Sequence, residues 1–371
     1  MREILENIVE TVSQNRNERL VDDDALGAKV EAICRCERNR APVRFLIAGL
    51  LAKIKDPSVD LHKPYITLGD HSFRGRSIDE DVVGPFLHSY QLPCNHTTAF
   101  LTPAFRTIEA PLTKEQFNKC RPKDVYFEMC DVIECVEADS DIAFNTLSEM
   151  IRMLFVIKNE TEQRMTQLKQ ALSEDKSSLQ LSSEEVTKLL IQHLSCRGSS
   201  RLPVLIITAA YEAVADLTRE RTKPLFAHNA ADSQTGALGD VEIVLQDEDR
   251  VVTCYEMKKK KVTIEDVKIC VDKIVNSEKK IDNYILITTQ PIEEEVVNYA
   301  ATFYNEIGIE FVVLDCIGFI KHYLHFFHRY RILFINKYQE LVLNEPDSSV
   351  SQPLKEAFLT LRRVAELGKE L

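Results

Sequence analysis

From the first residue to about Ile54, apolar side chains recur every three or four positions, as in Ile4, Ile8, Val9 and Val12 and again in Val43, Leu46, Ile47, Leu50 and Leu51. That spacing lays one apolar stripe along a helix of 3.6 residues per turn, so the region is predicted helical, with Pro57 closing it. Between Asp56 and Pro122 the periodicity fades while Gly, Pro and Thr accumulate, which predicts an irregular segment with ordered contacts of its own. Helical spacing returns at Val125, Met129, Val132, Ile133 and Val136, and a further helix is predicted from about Asp141 to Leu172. The polar stretch SEDKSSLQLSSEE, 173–185, reads as a linker or domain edge. A helix from Ser183 to His193 follows. Another is opened by Ser200 and Pro203 and runs through Tyr211 and Glu212 towards Arg221.

Beyond Arg221 the apolar period shortens towards two. Strands are predicted from Asp240 to Leu245 and from Val251 to Met257, joined by the turn sequence QDEDR. A helix from Thr263 to Asn276, a strand from Tyr284 to Thr289, a helix from Pro291 to Glu306 and a strand from Ile309 to Leu314 complete the pattern. This order implies an α/β fold, α+β overall: a central mixed β-sheet flanked by helices, behind a mainly helical N-terminal region. The expected division is 1–175 for the helical region, with its loop-rich segment, and 183–371 for the sheet domain.

Composition narrows the class. The 371 residues leave room for two domains, and 44% hydrophobic with 28% charged residues is the balance of a soluble globular protein. The N-terminus reads as an amphipathic helix rather than a signal peptide, and no run approaches the roughly 18 apolar residues that a membrane span needs. A cytoplasmic protein without membrane contact is expected. The ten cysteines are scattered, which favours free thiols over a disulfide framework. Cys34 and Cys36, like Cys94 and His96, have one residue between them, closer than paired ligands of structural zinc usually stand. A net charge of -12 opposes long-range attraction to nucleic acid, so binding of that kind needs a locally basic groove.

The segment GDVEIVLQDEDRVVTCYEMKKKK concentrates the candidate chemistry. Glu256 and Lys258 are two residues apart on one strand and share a face; if the two strands form a hairpin, Asp240 comes beside Glu256. Two carboxylates are enough to hold Mg2+, with Mn2+ as a substitute, because magnesium takes hard oxygen ligands and keeps several waters. A divalent ion so held suits phosphodiester hydrolysis, with Lys258 orienting or helping to deprotonate the attacking water. The plain alternative is a two-stranded ribbon with solvated acids and lysines. The strand setting, and the basic run that leads into a helix and a further apolar strand, favour the catalytic reading. Glu242 shares the face of Asp240 and is a candidate second metal carboxylate; Glu212, on the preceding helix, is a candidate ligand through water. Lys259 and Lys260 are candidate phosphate contacts. His228, Asn229, Asp232 and Gln234 precede Asp240 on a loop and either touch nucleic acid or stabilise a turn. Arg74, Arg76 and Arg106 suit phosphate or guanine, since a guanidinium presents a fork of donors. His322, His325 and His328 recur every three residues, but with no carboxylate in the pattern they read as packing or partly exposed residues. Phosphate-loop, dinucleotide and nucleophile-elbow motifs are absent.

The order helix, strand with Asp240, strand with Glu256 and Lys258, helix, strand resembles the PD-(D/E)xK nuclease superfamily, with Gly239 where that pattern has proline. The stretches SFRGRSIDEDVVGPFL, TTAFLTPAFR and FAHNAADSQTGALGDVEI are similar to those of the SacI-like restriction endonuclease family. That resemblance implies a type II enzyme that cuts double-stranded DNA at a short sequence, with Asp240, Glu256 and Lys258 as its catalytic set. It also implies a homodimer matched to a palindrome and a cognate methyltransferase protecting the same sites. A structure-directed repair or recombination nuclease, and a non-catalytic DNA-binding module on a nuclease core, are the other readings of the same segment.

Overall fold

Three helices open the chain: α1 (Arg2–Gln14), α2 (Asp24–Arg35) and α3 (Ala41–Lys55). A computed structural model describes residues 1–15, 18–95, 97–173, 180–225, 236–277 and 280–367. It divides into two units, Met1–Met165 and Thr166–Leu371. The division falls within a long helix, α5 (Ala143–Ser173), which follows α4 (Lys123–Ala138).

In the N-terminal unit every residue of α3 from Ala41 to Lys53 is buried, so the other elements wrap around it. Two of those residues, Arg44 and Lys53, are cations, and burial obliges each to find partners. Arg44 Nε donates to Asp79 Oδ1 at 2.8 Å and its Nη1 to the carbonyls of Asn95 and Thr97. Asp79 also accepts from the Thr98 hydroxyl at 2.5 Å and the Ala99 N–H at 2.8 Å. Lys53 donates to the Val59 carbonyl at 2.6 Å and to Glu137 on α4 at 2.8 Å. The segment expected to be irregular is therefore pinned near its start and again midway along by charges inside α3. Between the pins it folds into short helical turns at Gly75–Ile78, Asp79–Val83 and Gly84–Ser89, the middle one π-helical.

The C-terminal unit carries a five-stranded sheet in the order β1 (Glu220–Thr222), β2 (Val241–Leu245), β3 (Val251–Lys258), β4 (Asn283–Thr288), β5 (Glu310–Asp315). The first three strands run antiparallel and the last three parallel, which makes the sheet mixed as expected. Strand β1 was not foreseen: its helix α7 (Leu202–Thr218), preceded by α6 (Ser183–Ser195), stops at Arg219, which takes a left-handed φ of 58°. One face of the sheet, with Val244, Cys254, Tyr284, Leu286 and Val313, packs on α8 (Ile264–Asn276) and α9 (Glu294–Ile307). On the other face Tyr255 meets Tyr211 of α7 and Phe319 of α10 (Cys316–Phe326). Helices α11 (Arg331–Asn344) and α12 (Gln352–Glu366) complete the unit. Among the described residues no helix is long and apolar enough to cross a membrane, and none of the ten cysteines is in a disulfide.

His193 of α6 ties these last helices together. Its Nε2 lies 3.0 Å from the Leu354 carbonyl and therefore donates, which leaves Nδ1 to accept from the Tyr338 hydroxyl at 2.9 Å. Burial pulls its pKa from 6.5 down to about 4. Between those values the unfolded chain binds a proton that the folded chain refuses, so this contribution to stability is complete above about 6.5 and is lost as pH falls towards 4.

Two expectations follow. Arg44→Ala strands a buried carboxylate and costs about 3–5 kcal/mol, read as an earlier urea transition. His193→Gln lowers stability at pH 7 but flattens the acid limb of the stability curve by up to about 1.4 kcal/mol per pH unit, measured as urea midpoints at a series of pH values.

Candidate active site

The antiparallel ladder sets Val241 opposite Tyr255, so the next rung outward places Asp240 opposite Glu256 at the end of the hairpin. One bulge, between Ile243 and Val244, shifts the pairing further along β2 and leaves that rung untouched. Asp240 is fixed by the partner strand: its Oδ2 accepts the Met257 N–H at 2.7 Å. The residue before it has to be glycine here, because a Cβ on Gly239 would lie 2.6 Å from the Tyr255 carbonyl oxygen. A proline carries that same Cβ, so this hairpin does not admit one at position 239 either.

Glu256 Oε1 accepts from Lys258 Nζ at 3.0 Å, the pair reaching from alternate positions of β3 on the face that α8 covers. Burial pushes the Glu256 carboxyl above its ordinary pKa and Asp240 opposite pushes it further; Lys258 and Lys273 offset only part of this. Burial alone would pull Lys258 down, but Glu256 outweighs it and the amine is held as a cation above its ordinary range. Two carboxylates facing each other at a cost are the donor set that a small hard cation relieves. The chemistry of Asp240 and Glu256 therefore fits a magnesium ion.

The remaining expected residues are distributed as follows. Glu242 is buried opposite Cys254; its Oε1 accepts the Leu238 N–H at 2.8 Å and its Oε2 lies 3.7 Å from Lys223 Nζ. It thus secures the peptide that leads into Asp240. Glu212 lies beside a cavity of about 440 Å³ shared with Thr208, Arg221 and Lys223, and its carboxylate is 4.0 Å from Lys337. The cavity is not lined by Asp240, Glu256 or Lys258. Among the described residues no cluster of three or more acids, histidines or cysteines is arranged to hold a metal. Lys259 and Lys260 are exposed just past β3. Arg74, Arg76 and Arg106 are exposed on the N-terminal unit, with Arg76 Nε 2.8 Å from Glu80. His228, Asn229, Asp232 and Gln234 lie outside the described residues, as does His96. His322, His325 and His328 are exposed, with His325 3.5 Å from Glu184.

Three neighbours of Glu256 escaped the sequence reading: Lys273 and Cys270 on α8, and Tyr284 on β4. A lysine beside the inward face of α8 was the available signal for the first. Nothing in the pattern of β4 separates Tyr284 from an ordinary core aromatic.

In the absence of divalent ions, Glu256→Gln removes the repulsion with Asp240. The variant is expected to melt at a higher temperature than the parent at neutral pH, while losing the stabilisation that added magnesium gives the parent; thermal scans with and without the ion test both. The Glu256 pKa is raised in the fold, so its penalty is absent below the ordinary glutamate range and grows as pH rises through the folded value. The advantage of the variant should shrink accordingly in acid. No family model matches the chain, and no curated protein is significantly similar to it.

Proposed function

We propose that this chain is a magnesium-dependent endonuclease that hydrolyses phosphodiester bonds in double-stranded DNA. The observation that carries the reading is the convergence of Asp240, Glu256 and Lys258 at the end of the β2–β3 hairpin, with the two carboxylates on facing rungs and the lysine hydrogen-bonded to one of them. Asp240 and Glu256 would hold the ion. When bound, it supplies an activated water and neutralises charge on the scissile phosphate.

The side chains do the rest. Lys258 is held protonated, which suits it to orient the attacking water and to stabilise charge building on the phosphate, rather than to remove a proton itself. Exposed Lys259 and Lys260 would continue the positive end of β3 towards a phosphate backbone, a local concentration of cations on a chain of net charge -12. Arg74, Arg76 and Arg106 offer exposed guanidinium groups for phosphate or guanine. Together with the resemblance of the stretches around Arg74, Thr97 and Asp240, these features favour a type II restriction enzyme. Such an enzyme would act as a homodimer on a palindrome beside a methyltransferase that protects the host.

Purified protein with magnesium should cut a long mapped duplex into discrete fragments. Lys258→Ala should slow cleavage by about 10²–10³-fold, the scale of removing one charge-stabilising donor, and chelation should abolish it. A smear would indicate cleavage without sequence preference. Folded protein that leaves linear and branched duplexes intact would overturn the assignment.

A further inference from the structure

We propose that Tyr284 is a positioning residue of the acid centre, its hydroxyl holding the segment that leads into Asp240 in place beside the carboxylate of Glu256. The proposal rests on the reading of Asp240 and Glu256 as metal ligands. Tyr284 is fully buried on β4, in register with Cys254 of β3, and its ring stacks on Phe311 of β5 at 5.3 Å. Packing therefore fixes where the oxygen points. It donates to the Leu238 carbonyl at 2.9 Å and lies 3.5 Å from Glu256 Oε2.

The Leu238 peptide is thereby held at both ends, its N–H by Glu242 on β2 and its carbonyl by Tyr284 on β4. Two residues on, the chain enters Asp240. A tyrosine that merely satisfied a buried hydroxyl would need one acceptor anywhere in the core. This one takes an acceptor two residues before the first carboxylate and stands against the second. The groups facing Glu256 are Asp240 at the head of β2, Lys258 on β3, Lys273 on α8 and Tyr284 itself on β4, with Cys270 of α8 sharing a hydrogen bond with the Tyr284 hydroxyl. Tyr284 donates to the segment that leads into Asp240 and stands 3.5 Å from the carboxylate of Glu256.

The test uses the whole chain and metal binding rather than cleavage. Calorimetric titration with Mn2+ should show binding by the parent and an affinity about 10–100-fold lower for Tyr284→Phe, the usual cost of removing a hydrogen-bond partner behind a metal ligand. In a second arm 3-fluorotyrosine is placed at position 284 alone. Its fluorine resonance should shift saturably with Mg2+, at the midpoint that calorimetry gives for that ion, and should not move in a Glu256→Gln background. This arm decides the matter even if the phenylalanine variant does not fold. A folded Tyr284→Phe that binds Mn2+ as tightly as the parent would overturn the proposal, as would a resonance indifferent to Mg2+ in protein that binds it. A parent that binds neither ion would overturn the metal reading of Asp240 and Glu256 itself, and the proposal with it.

Discussion

Arg44 sits where water cannot solvate it, in the first turn of a helix buried on all sides, and the N-terminal unit is arranged to answer that charge. Asp79 closes on it at 2.8 Å, and Thr98 and Ala99 close on Asp79. An ion inside a protein costs several kcal/mol unless its remaining donors and acceptors are matched. A chain with little regular structure between Asp56 and Pro122 is thus ordered by what α3 requires of it. The C-terminal unit obeys the same constraint through His193, whose two ring nitrogens bind α11 and the start of α12 to α6. Polar groups in both units act as fixed points around which apolar packing is completed.

The acid centre departs from that rule. Asp240 and Glu256 meet across the ladder with like charge, and the cations at hand, Lys258 and Lys273, fall short of restoring the ordinary ionisation of Glu256. Carboxylates left in conflict are a recognised mark of a site built for something other than stability. The neighbourhood is nonetheless rigid: Met257 N–H, Tyr284 and the crowding at Gly239 each restrict where the two side chains go.

Much of the C-terminal unit was legible in the sequence. The hairpin followed from alternation and the turn QDEDR, and the rung pairing Asp240 with Glu256 followed from the hairpin. Strand β1 was not legible because its three residues, Glu220 to Thr222, have no apolar alternation and become a strand only through pairing with β2. The end of α7 was missed because a non-glycine residue, Arg219, takes the left-handed turn there. For Glu242, strand geometry gives the face of the side chain but not what else reaches that face, here Leu238 N–H. The fastening of the loop-rich segment joins residues 35 apart, Arg44 and Asp79, and no local pattern announces it. Glu212 lies 4.0 Å from Lys337, 125 positions away in the sequence, a proximity that only the tertiary packing of α7 and α11 creates.

The contact that fixes Asp240 spans only 17 positions, from its carboxylate to the Met257 N–H, and Lys258 answers Glu256 from two positions away. The geometry of Asp240, Glu256 and Lys258 therefore rests chiefly on a single hairpin, with β4 adding the Tyr284 hydroxyl. Loops and whole helices elsewhere are free to lengthen, shorten or diverge over evolutionary time without disturbing it, so long as β4 continues to present a hydroxyl at its second residue. If the proposed nuclease reading holds, a lineage that kept this short segment could change what the protein recognises while inheriting its chemistry intact.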